Sequence, residues 1–150
     1  MSEPQEVAMA KAFAPQEVED RLYAFWDENG FFTPVVDWAK EPFTIIMPPP
    51  NVTGELHLGH ALTTTVEDVM IRWHRMLGDP TLWLPGEDHS GIAAQVVVER
   101  MLAKEGVDRH ELGRERFLDR MWEWTRKYGH AIADQHRKLG ASCDWTRERF

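Results

Sequence analysis

The chain has 150 residues, of which 43% are hydrophobic and 28% are charged, and its formal net charge at pH 7 is -8. This composition is that of a globular domain with a core, and it excludes disordered and fibrous proteins. The negative net charge argues against electrostatic binding of a nucleic-acid backbone by these residues, because such binding normally needs a basic face. Without about eighteen consecutive apolar residues or a secretory signal, the sequence indicates a soluble, cytoplasmic protein.

Residues 1–40 are predicted to form an N-terminal extension that contains one helix. Residues 1–12 show no clear pattern and are expected to fray. Pro15 suits the first turn of a helix and Gly30 suits its end. The apolar side chains between them fall on one helical face: Val18, Leu22, Phe25 and Trp26. A loop that carries Trp38 completes this part.

Residues 41–107 alternate strand and helix patterns, which predicts an α/β fold. Phe43–Met47 and Thr81–Leu84 have the short apolar pattern of strands, and the first suits a strand covered on both faces. The helix between them is predicted to end at Gly78, and a second helix spans Ile92–Ala103. The first helix carries one apolar stripe: Leu58, Leu62, Thr65, Val66, Val69, Trp73, Met76 and Leu77. A strand-helix-strand-helix order predicts a parallel sheet with right-handed crossovers.

Residues 108–150 are predicted to be helical. Asp108 and Glu111 have the spacing of a capping box, and Ala131–Leu139 is predicted as a separate helix that ends at Gly140. The apolar residues before it are Leu112, Phe117, Leu118, Met121, Trp122 and Trp124. No closing strand is predicted, and a sheet of two strands is too small to stand alone. We therefore expect this segment to be incomplete at its C-terminus.

The chemistry is predicted to lie in residues 47–57, the signature loop, and in the helix start that follows it. His57 and His60 lie three residues apart with Gly59 between them, so both imidazoles face the same side and a phosphate can approach the backbone. Helix N-termini attract phosphate, and imidazole can hydrogen-bond its oxygens. Two alternatives remain open: solvated surface histidines, or a metal site with His57, His60, His89 and Asp88 as ligands.

Three further features have more than one interpretation. Asp88 follows the second strand, where a carboxylate is placed either to bind an amino group or to cap the next helix, as Ser90 also would. Pro48, Pro49 and Pro50 form either a stiff apolar wall for a ligand or a simple rigid connector. Cys143 is the only cysteine. It is expected to be a small, half-buried side chain rather than a reactive thiol.

These motifs resemble the N-terminal part of the valyl-tRNA synthetases, which are class I aminoacyl-tRNA synthetases. Pro50 to His60 is similar to that family's form of the "HIGH" signature, and Trp83 to Glu99 is similar to its motif after the second strand. Two shorter stretches, Leu112 to Glu115 and Leu139 to Trp145, are also similar. The resemblance covers about Phe13 to Phe150, and it implies that residues 41–107 are the first half of a Rossmann-like catalytic domain.

The resemblance also implies a reaction and a set of site residues. ATP, with magnesium, would activate valine to valyl-adenylate, and the valyl group would pass to tRNA(Val). His57 and His60 would be catalytic, with main tRNA contacts outside these residues and no structural metal within them. The implied ATP contacts are His57, Gly59, His60, Thr53 and Gly54. The implied contacts to the amino acid or adenylate are Pro48, Pro49, Asn51 and Asp88.

Two other functions remain open from the residues alone. A small stand-alone nucleotidyltransferase also uses a His-x-Gly-His helix start, but it predicts a complete five-stranded sheet. The second is a truncated, non-catalytic paralogue that only binds nucleotide or a partner protein. The Lys-Met-Ser-Lys-Ser signature is absent from these 150 residues, so we expect the 150 residues alone to be an incomplete enzyme.

Overall fold

The computed structural model describes residues 11–150. Residues 1–10, which contain most of the segment expected to fray, lie outside the described residues. A short 3-10 helix at Pro15–Glu17 leads into helix α1, Glu19–Glu28, and Pro15 occupies the first turn as predicted. The face of α1 is shifted from the prediction, because Phe25 is exposed and Tyr23 points inward. The Tyr23 hydroxyl donates to the carbonyl of Ala141 at 2.8 Å, which ties α1 to the end of the chain.

Two parallel strands form the sheet, as the strand-helix-strand order predicts. Strand β1 spans Phe43–Ile46, strand β2 spans Thr81–Leu84, and helix α2, Leu58–Leu77, connects them. The prediction that β1 is covered on both faces is wrong for the described residues. Ile45 packs against the core, whereas Ile46 on the opposite face is 69% exposed. The core that α2 and the sheet share contains Met47, Ile71, Trp83, Ala141 and Cys143.

Helix α2 presents a different face to the core than its apolar stripe predicts. Leu58, Leu62 and Met76 of that stripe are exposed, whereas Thr64 and Ile71 are buried. The remaining inward positions are polar and find polar partners: Asp68 accepts from the Ser142 hydroxyl at 2.5 Å, and Arg75 donates to the same hydroxyl at 2.6 Å. Hydrophobic periodicity misses such a face because the side chains there are stabilised by hydrogen bonds.

The last half of the chain is helical, with boundaries that differ from the prediction. Helix α3 spans Gly91–Lys104, close to its prediction, and helix α4 is a short segment at Arg109–Leu112. Asp108 caps α4 by accepting from the backbone N–H of His110, without the reciprocal bond from Glu111 that a capping box requires.

Helix α5 runs continuously from Arg114 to Leu139, so Ala131–Leu139 is its last part and not a separate helix. Gly129 lies inside this helix. An interior glycine costs only about 1 kcal/mol relative to alanine, which the packing of one long helix outweighs. The predicted end of the helix is confirmed, because Gly140 has φ 85° at the C-cap.

The segment after α5 is a continuous buried stretch. Residues 141–144 are all buried, and Cys143 is fully enclosed, more than the half-burial expected from the sequence. Burial raises the pKa of the Cys143 thiol, which agrees with an unreactive side chain. Arg149 then pairs with Gly86 beyond the end of β2, a backbone contact that the sequence does not predict. None of the helices within residues 11–150 has the length and apolar character to cross a membrane.

Candidate active site

The signature loop and the turn after β2 meet at the carboxyl edge of the sheet. Asn51 and Asp88 form a parallel bridge, in which the N–H of Val52 donates to the carbonyl of Asp88 at 3.1 Å. The N–H of Asp88 in turn donates to the carbonyl of Pro50 at 2.9 Å. Two turns that are 37 positions apart in sequence therefore share one backbone network. This is the edge where ligands bind in open α/β folds.

His57 and His60 form a reciprocal cap at the start of α2. His57 is the N-cap, and its Nδ1 accepts from the backbone N–H of Gly59 at 3.1 Å. His60 reaches back, and its Nδ1 accepts from the backbone N–H of His57 at 3.1 Å. A capping box normally uses Ser or Thr with Glu or Gln. Here two imidazoles satisfy the same donors, with their ring centroids 4.0 Å apart.

This cap determines which ring nitrogens carry protons. Since each Nδ1 accepts a hydrogen bond from a backbone N–H, the proton of each neutral imidazole is on Nε2. Burial lowers the pKa of His60, and the neighbouring His57 lowers it further, so the neutral ring is favoured at pH 7. The site therefore offers two Nε2–H donors beside the free N–H groups of a helix N-terminus, a combination suited to an anion.

Gly59 is necessary for this arrangement. A Cβ atom at this position would lie 2.9 Å from Cε1 of the His57 ring, closer than real contacts allow. The ring of His57 therefore packs directly over the backbone of Gly59. A larger residue would move the ring and weaken its hydrogen bond to the Gly59 N–H.

A cavity of about 360 Å³, which we call the histidine cavity, lies at this helix start. It is lined by Met47, Pro48, Pro50, His57, Gly59, His60, Thr63, Thr64 and His136. Pro49 lines a neighbouring cavity of about 180 Å³ instead. Asn51, Thr53, Gly54 and Asp88 border neither of these two cavities. The structure thus separates the implied ATP contacts His57, Gly59 and His60 from most of the implied amino-acid contacts.

Asp88 has an exposed carboxylate and does not cap helix α3. The N-cap residue is Ser90, and no side chain caps this helix. Asp88 Oδ1 accepts from the backbone N–H of Ser90 at 3.0 Å, which closes a local turn. Ser90 has φ 47°, in the left-handed region. The helix-cap interpretation of Asp88 is therefore wrong, and its carboxylate stays open to solvent next to Asn51.

Helix α5 supports the signature loop through contacts that the sequence does not reveal. Trp124 Nε1 donates to the carbonyl of Val52 at 3.0 Å, and Gln135 Oε1 accepts from the N–H of Leu56 at 2.9 Å. His136, the next residue, is 3% exposed and lines the histidine cavity. From the sequence Trp124 is only an apolar residue, and nothing in the pattern identifies Gln135 or His136.

The metal alternative is not supported by the described residues. Within residues 11–150, no group of three or more His, Cys, Asp or Glu side chains could hold a metal ion. His89 packs instead against Phe150, with ring centroids 3.8 Å apart and the rings tilted by 34°. The four side chains of that alternative, His57, His60, His89 and Asp88, are thus not brought together as a metal site.

Comparison with known proteins gives the family. A family model described as tRNA synthetases class I (I, L, M and V) matches residues 21–150. A valine-tRNA ligase of Dehalococcoides mccartyi (strain ATCC BAA-2266) is 68% identical over 142 residues, which is 95% of this chain and 16% of that protein. A valine-tRNA ligase of Clostridium acetobutylicum is 56% identical over the same shares of both chains. The chain thus spans 16% of the length of these curated relatives.

A solved structure is similar in fold. It is the ternary complex of Agrobacterium radiobacter K84 agnB2 LeuRS with tRNA and LeuAMS, with a TM-score of 0.73 and 19% sequence identity. The match covers 91% of this chain and 16% of that one. The two-stranded parallel sheet with its helices is therefore a class I synthetase fold. Because the family model covers most of the chain, this protein belongs to the class I tRNA synthetases.

Proposed function

We propose that the chain is part of a valine-tRNA ligase, which activates valine with ATP and transfers it to tRNA(Val). The observation that carries the proposal is the reciprocal His57 and His60 cap, which leaves two Nε2–H donors at the N-terminus of α2 beside a cavity. The valine-tRNA ligase names of relatives at 56 to 68% identity support the choice of amino acid.

The proposed chemistry is attack of the valine carboxylate on the α-phosphate of ATP. A carboxylate oxygen forms a bond to phosphorus, and the bond from phosphorus to the bridging oxygen breaks, so pyrophosphate leaves. His57 and His60 donate hydrogen bonds from Nε2 to phosphate oxygens as negative charge grows there. The free N–H groups of the first turn of α2 act in the same direction. Gly59 has no side chain, so a phosphate can approach the backbone closely at this position. No residue has to remove a proton, because valine already carries a carboxylate.

Magnesium would enter the site with ATP. The histidine cavity is lined by neutral and apolar groups and contains no carboxylate. Its donors fit the phosphates and do not fit a free cation, so the ion would bind through the triphosphate and neutralise part of its charge. Thr53 and Gly54 lie between Asn51 and the helix start, and we propose them as further ATP contacts.

The amino acid would bind on the side of Asn51 and Asp88. The Asp88 carboxylate would bind the α-ammonium group of valine, while Pro48 and Pro49 supply a rigid apolar wall. The backbone bridge between Asn51 and Asp88 supports this assignment, because it holds the backbone of both residues at the edge of the sheet. An ammonium facing a carboxylate makes a charge-assisted hydrogen bond.

We also propose a division of the chain and a location. Residues 1–40 would be an N-terminal extension, residues 41–107 the first half of the catalytic domain, and residues 108–150 a helical segment that continues into that domain. We expect the reaction in the cytoplasm, where tRNA is charged. The share of 16% of the relatives' length supports a larger polypeptide that supplies further synthetase parts and the main tRNA contacts.

The alternative of a small nucleotidyltransferase receives no support from the described residues, whose sheet has two strands and not five. A non-catalytic paralogue differs from a ligase in that it would bind nucleotide without catalysing the reaction. The test is valine-dependent exchange of pyrophosphate into ATP by the complete polypeptide that carries these residues. We expect exchange with valine and at least tenfold less with leucine or isoleucine. Nucleotide binding without exchange would overturn the proposed ligase.

A further inference from the structure

His136 is the one residue of the histidine cavity that lies on helix α5, and neither the signature nor the proposed chemistry uses it. It is 3% exposed, so its ring is almost fully enclosed. Its Nδ1 lies 3.0 Å from the carbonyl of Ile132, one turn earlier in the same helix. A carbonyl only accepts, so Nδ1 donates this bond and carries the ring proton. Nε2 of the neutral ring is then a pure acceptor.

Nε2 of His136 has no hydrogen-bond partner among residues 11–150. Because Nδ1 faces the backbone of α5, Nε2 lies on the side of the ring that is turned away from this helix. The ring borders the histidine cavity. A buried acceptor without a partner beside a cavity is placed to receive a donor from a ligand.

The protonation of the three imidazoles makes the cavity asymmetric. His57 and His60 present Nε2–H donors, whereas His136 presents a bare nitrogen. Burial lowers the pKa of His136, and His60 lowers it further despite the opposing hydrogen bond to Ile132. The neutral form is therefore favoured in the free protein. A ligand that fits all three rings has acceptor oxygens at one end and an O–H or N–H donor at the other.

A nucleoside triphosphate has this combination, because its ribose and base carry donor groups at a distance from the phosphate oxygens. We propose that His136 accepts a hydrogen bond through Nε2 from a donor group of the nucleoside whose phosphates lie at His57 and His60. This inference rests on the proposed ATP site and adds a residue that recognises the nucleoside. The candidate donors are the ribose hydroxyls and the amino group of adenine, which have the same hydrogen-bonding chemistry.

Two substitutions separate this role from a structural one. His136→Asn keeps an amide N–H close to the position of Nδ1, so the bond to Ile132 is retained while the acceptor at Nε2 is lost. His136→Gln places a polar amide group close to the position of Nε2 and should restore recognition. His130→Asn is a matched control, because His130 is an exposed histidine of the same helix outside the histidine cavity.

The experiment measures the affinity of the complete polypeptide for ATP, 2′-deoxyATP, 3′-deoxyATP and purine riboside triphosphate, which lacks the amino group. We expect the unsubstituted protein to bind one of the three analogues about 5- to 10-fold more weakly than ATP, the range of one neutral hydrogen bond. His136→Asn should bind ATP as weakly as that analogue and no longer distinguish the two. His136→Gln should regain part of the preference, and His130→Asn should keep all of it.

A second readout does not depend on affinity. The ¹⁵N NMR signal of the unprotonated Nε2 of His136 should move when ATP is added and stay in place with pyrophosphate alone. Equal analogue preferences in His136→Asn and the unsubstituted protein, or an Nε2 signal that ATP does not move, would overturn the inference. Loss of valine-dependent exchange with analogue recognition intact would instead contradict the proposed ligase and leave the role of His136 supported.

Discussion

Asn51 and Asp88 lie opposite each other in a parallel bridge, so the carboxylate of Asp88 is held next to the signature loop by backbone hydrogen bonds on both sides. The side chain adds a local bond of its own, from the N–H of Ser90 to Oδ1. The position of Asp88 therefore does not depend on its charge. A substitution at Asp88 can therefore remove the charge without moving the side chain, which makes it a clear test of the proposed amino-acid recognition.

Asp88→Asn should weaken valine binding by about 1.5 to 3 kcal/mol, because a charge-assisted hydrogen bond to the ammonium group is lost. ATP binding should stay nearly unchanged, and the fold should be kept, since the amide oxygen still accepts from Ser90. The measurement is the affinity for valine and for isovalerate, which lacks the amino group. Isovalerate should lose its disadvantage in the variant. Unchanged valine affinity would show that the carboxylate only closes the turn.

His57 has both a structural and a proposed catalytic role, and two substitutions separate them. His57→Ala should destabilise the fold by about 1 kcal/mol through loss of the helix cap, whereas His57→Asn should cap nearly as well as a natural N-cap. Both should raise the barrier to adenylate formation by about 2 to 4 kcal/mol, because both lose the Nε2–H donor. Rapid-quench measurement of adenylate formation, with thermal unfolding alongside, checks this. A fully active His57→Asn would leave His57 only its structural role.

His60→Ala should affect the same two quantities as His57→Ala, the barrier to adenylate formation and the stability of the fold. We expect the barrier to valyl-adenylate formation to rise by about 2 to 4 kcal/mol, so that the rate falls, while the affinity for valine changes little. The capping bond to the His57 N–H is also lost, so a modest loss of stability should accompany the effect. If valine affinity fell and the rate did not, the ring would serve the amino-acid site instead of the phosphate.

Gln135 should act as a positioning residue, because its amide oxygen accepts from the N–H of Leu56, directly before His57. Gln135→Leu leaves that N–H without a partner and should lower kcat about 10- to 100-fold through misplacement of the histidines. Gln135→Glu keeps an acceptor and should recover most of the loss. The KM for valine should change far less than kcat. Steady-state kinetics of both variants decide the point, and equal kinetics in the two would refute positioning through this bond.

Glu87 should make the stability of the fold depend on pH. Burial raises the pKa of Glu87 from its usual value of 4.5 to about 7, with Glu148 acting in the same direction. The folded state then binds more protons than the unfolded state between these values, so stability should fall as pH rises from about 4.5 toward and past 7. Because the group is half-exposed, the effect should be well below the full value of the shift.

Glu87→Gln removes the titrating group and keeps its size. The variant should be more stable than the unsubstituted protein at pH 8, and the two should be similar at pH 5. Thermal unfolding at both pH values measures the difference, with Glu28→Gln, an exposed residue of α1, as a control for surface charge. The same pH dependence in Glu87→Gln and in the unsubstituted protein would show that Glu87 does not cause it.

Local signals in the sequence predict the parallel strands, the start of α2 and its end at Gly78, because each depends on residues close in the chain. The inward face of α2 is not predictable in this way. Asp68 and Arg75 are half-buried and hydrogen-bond to Ser142, which lies 74 and 67 positions away in sequence. The contribution of α5 to the site is hidden for the same reason, since Trp124 and Gln135 hydrogen-bond to backbone atoms of the signature loop that are distant in sequence.

Helix α5 contacts the signature loop at two points, Trp124 to Val52 and Gln135 to Leu56. The segment from Val52 to Leu56 is thus held at both ends by hydrogen bonds from one helix, and His57 follows directly after the second of them. The entropy cost of ordering this segment is already offset during folding, so a nucleotide that binds there does not have to offset it.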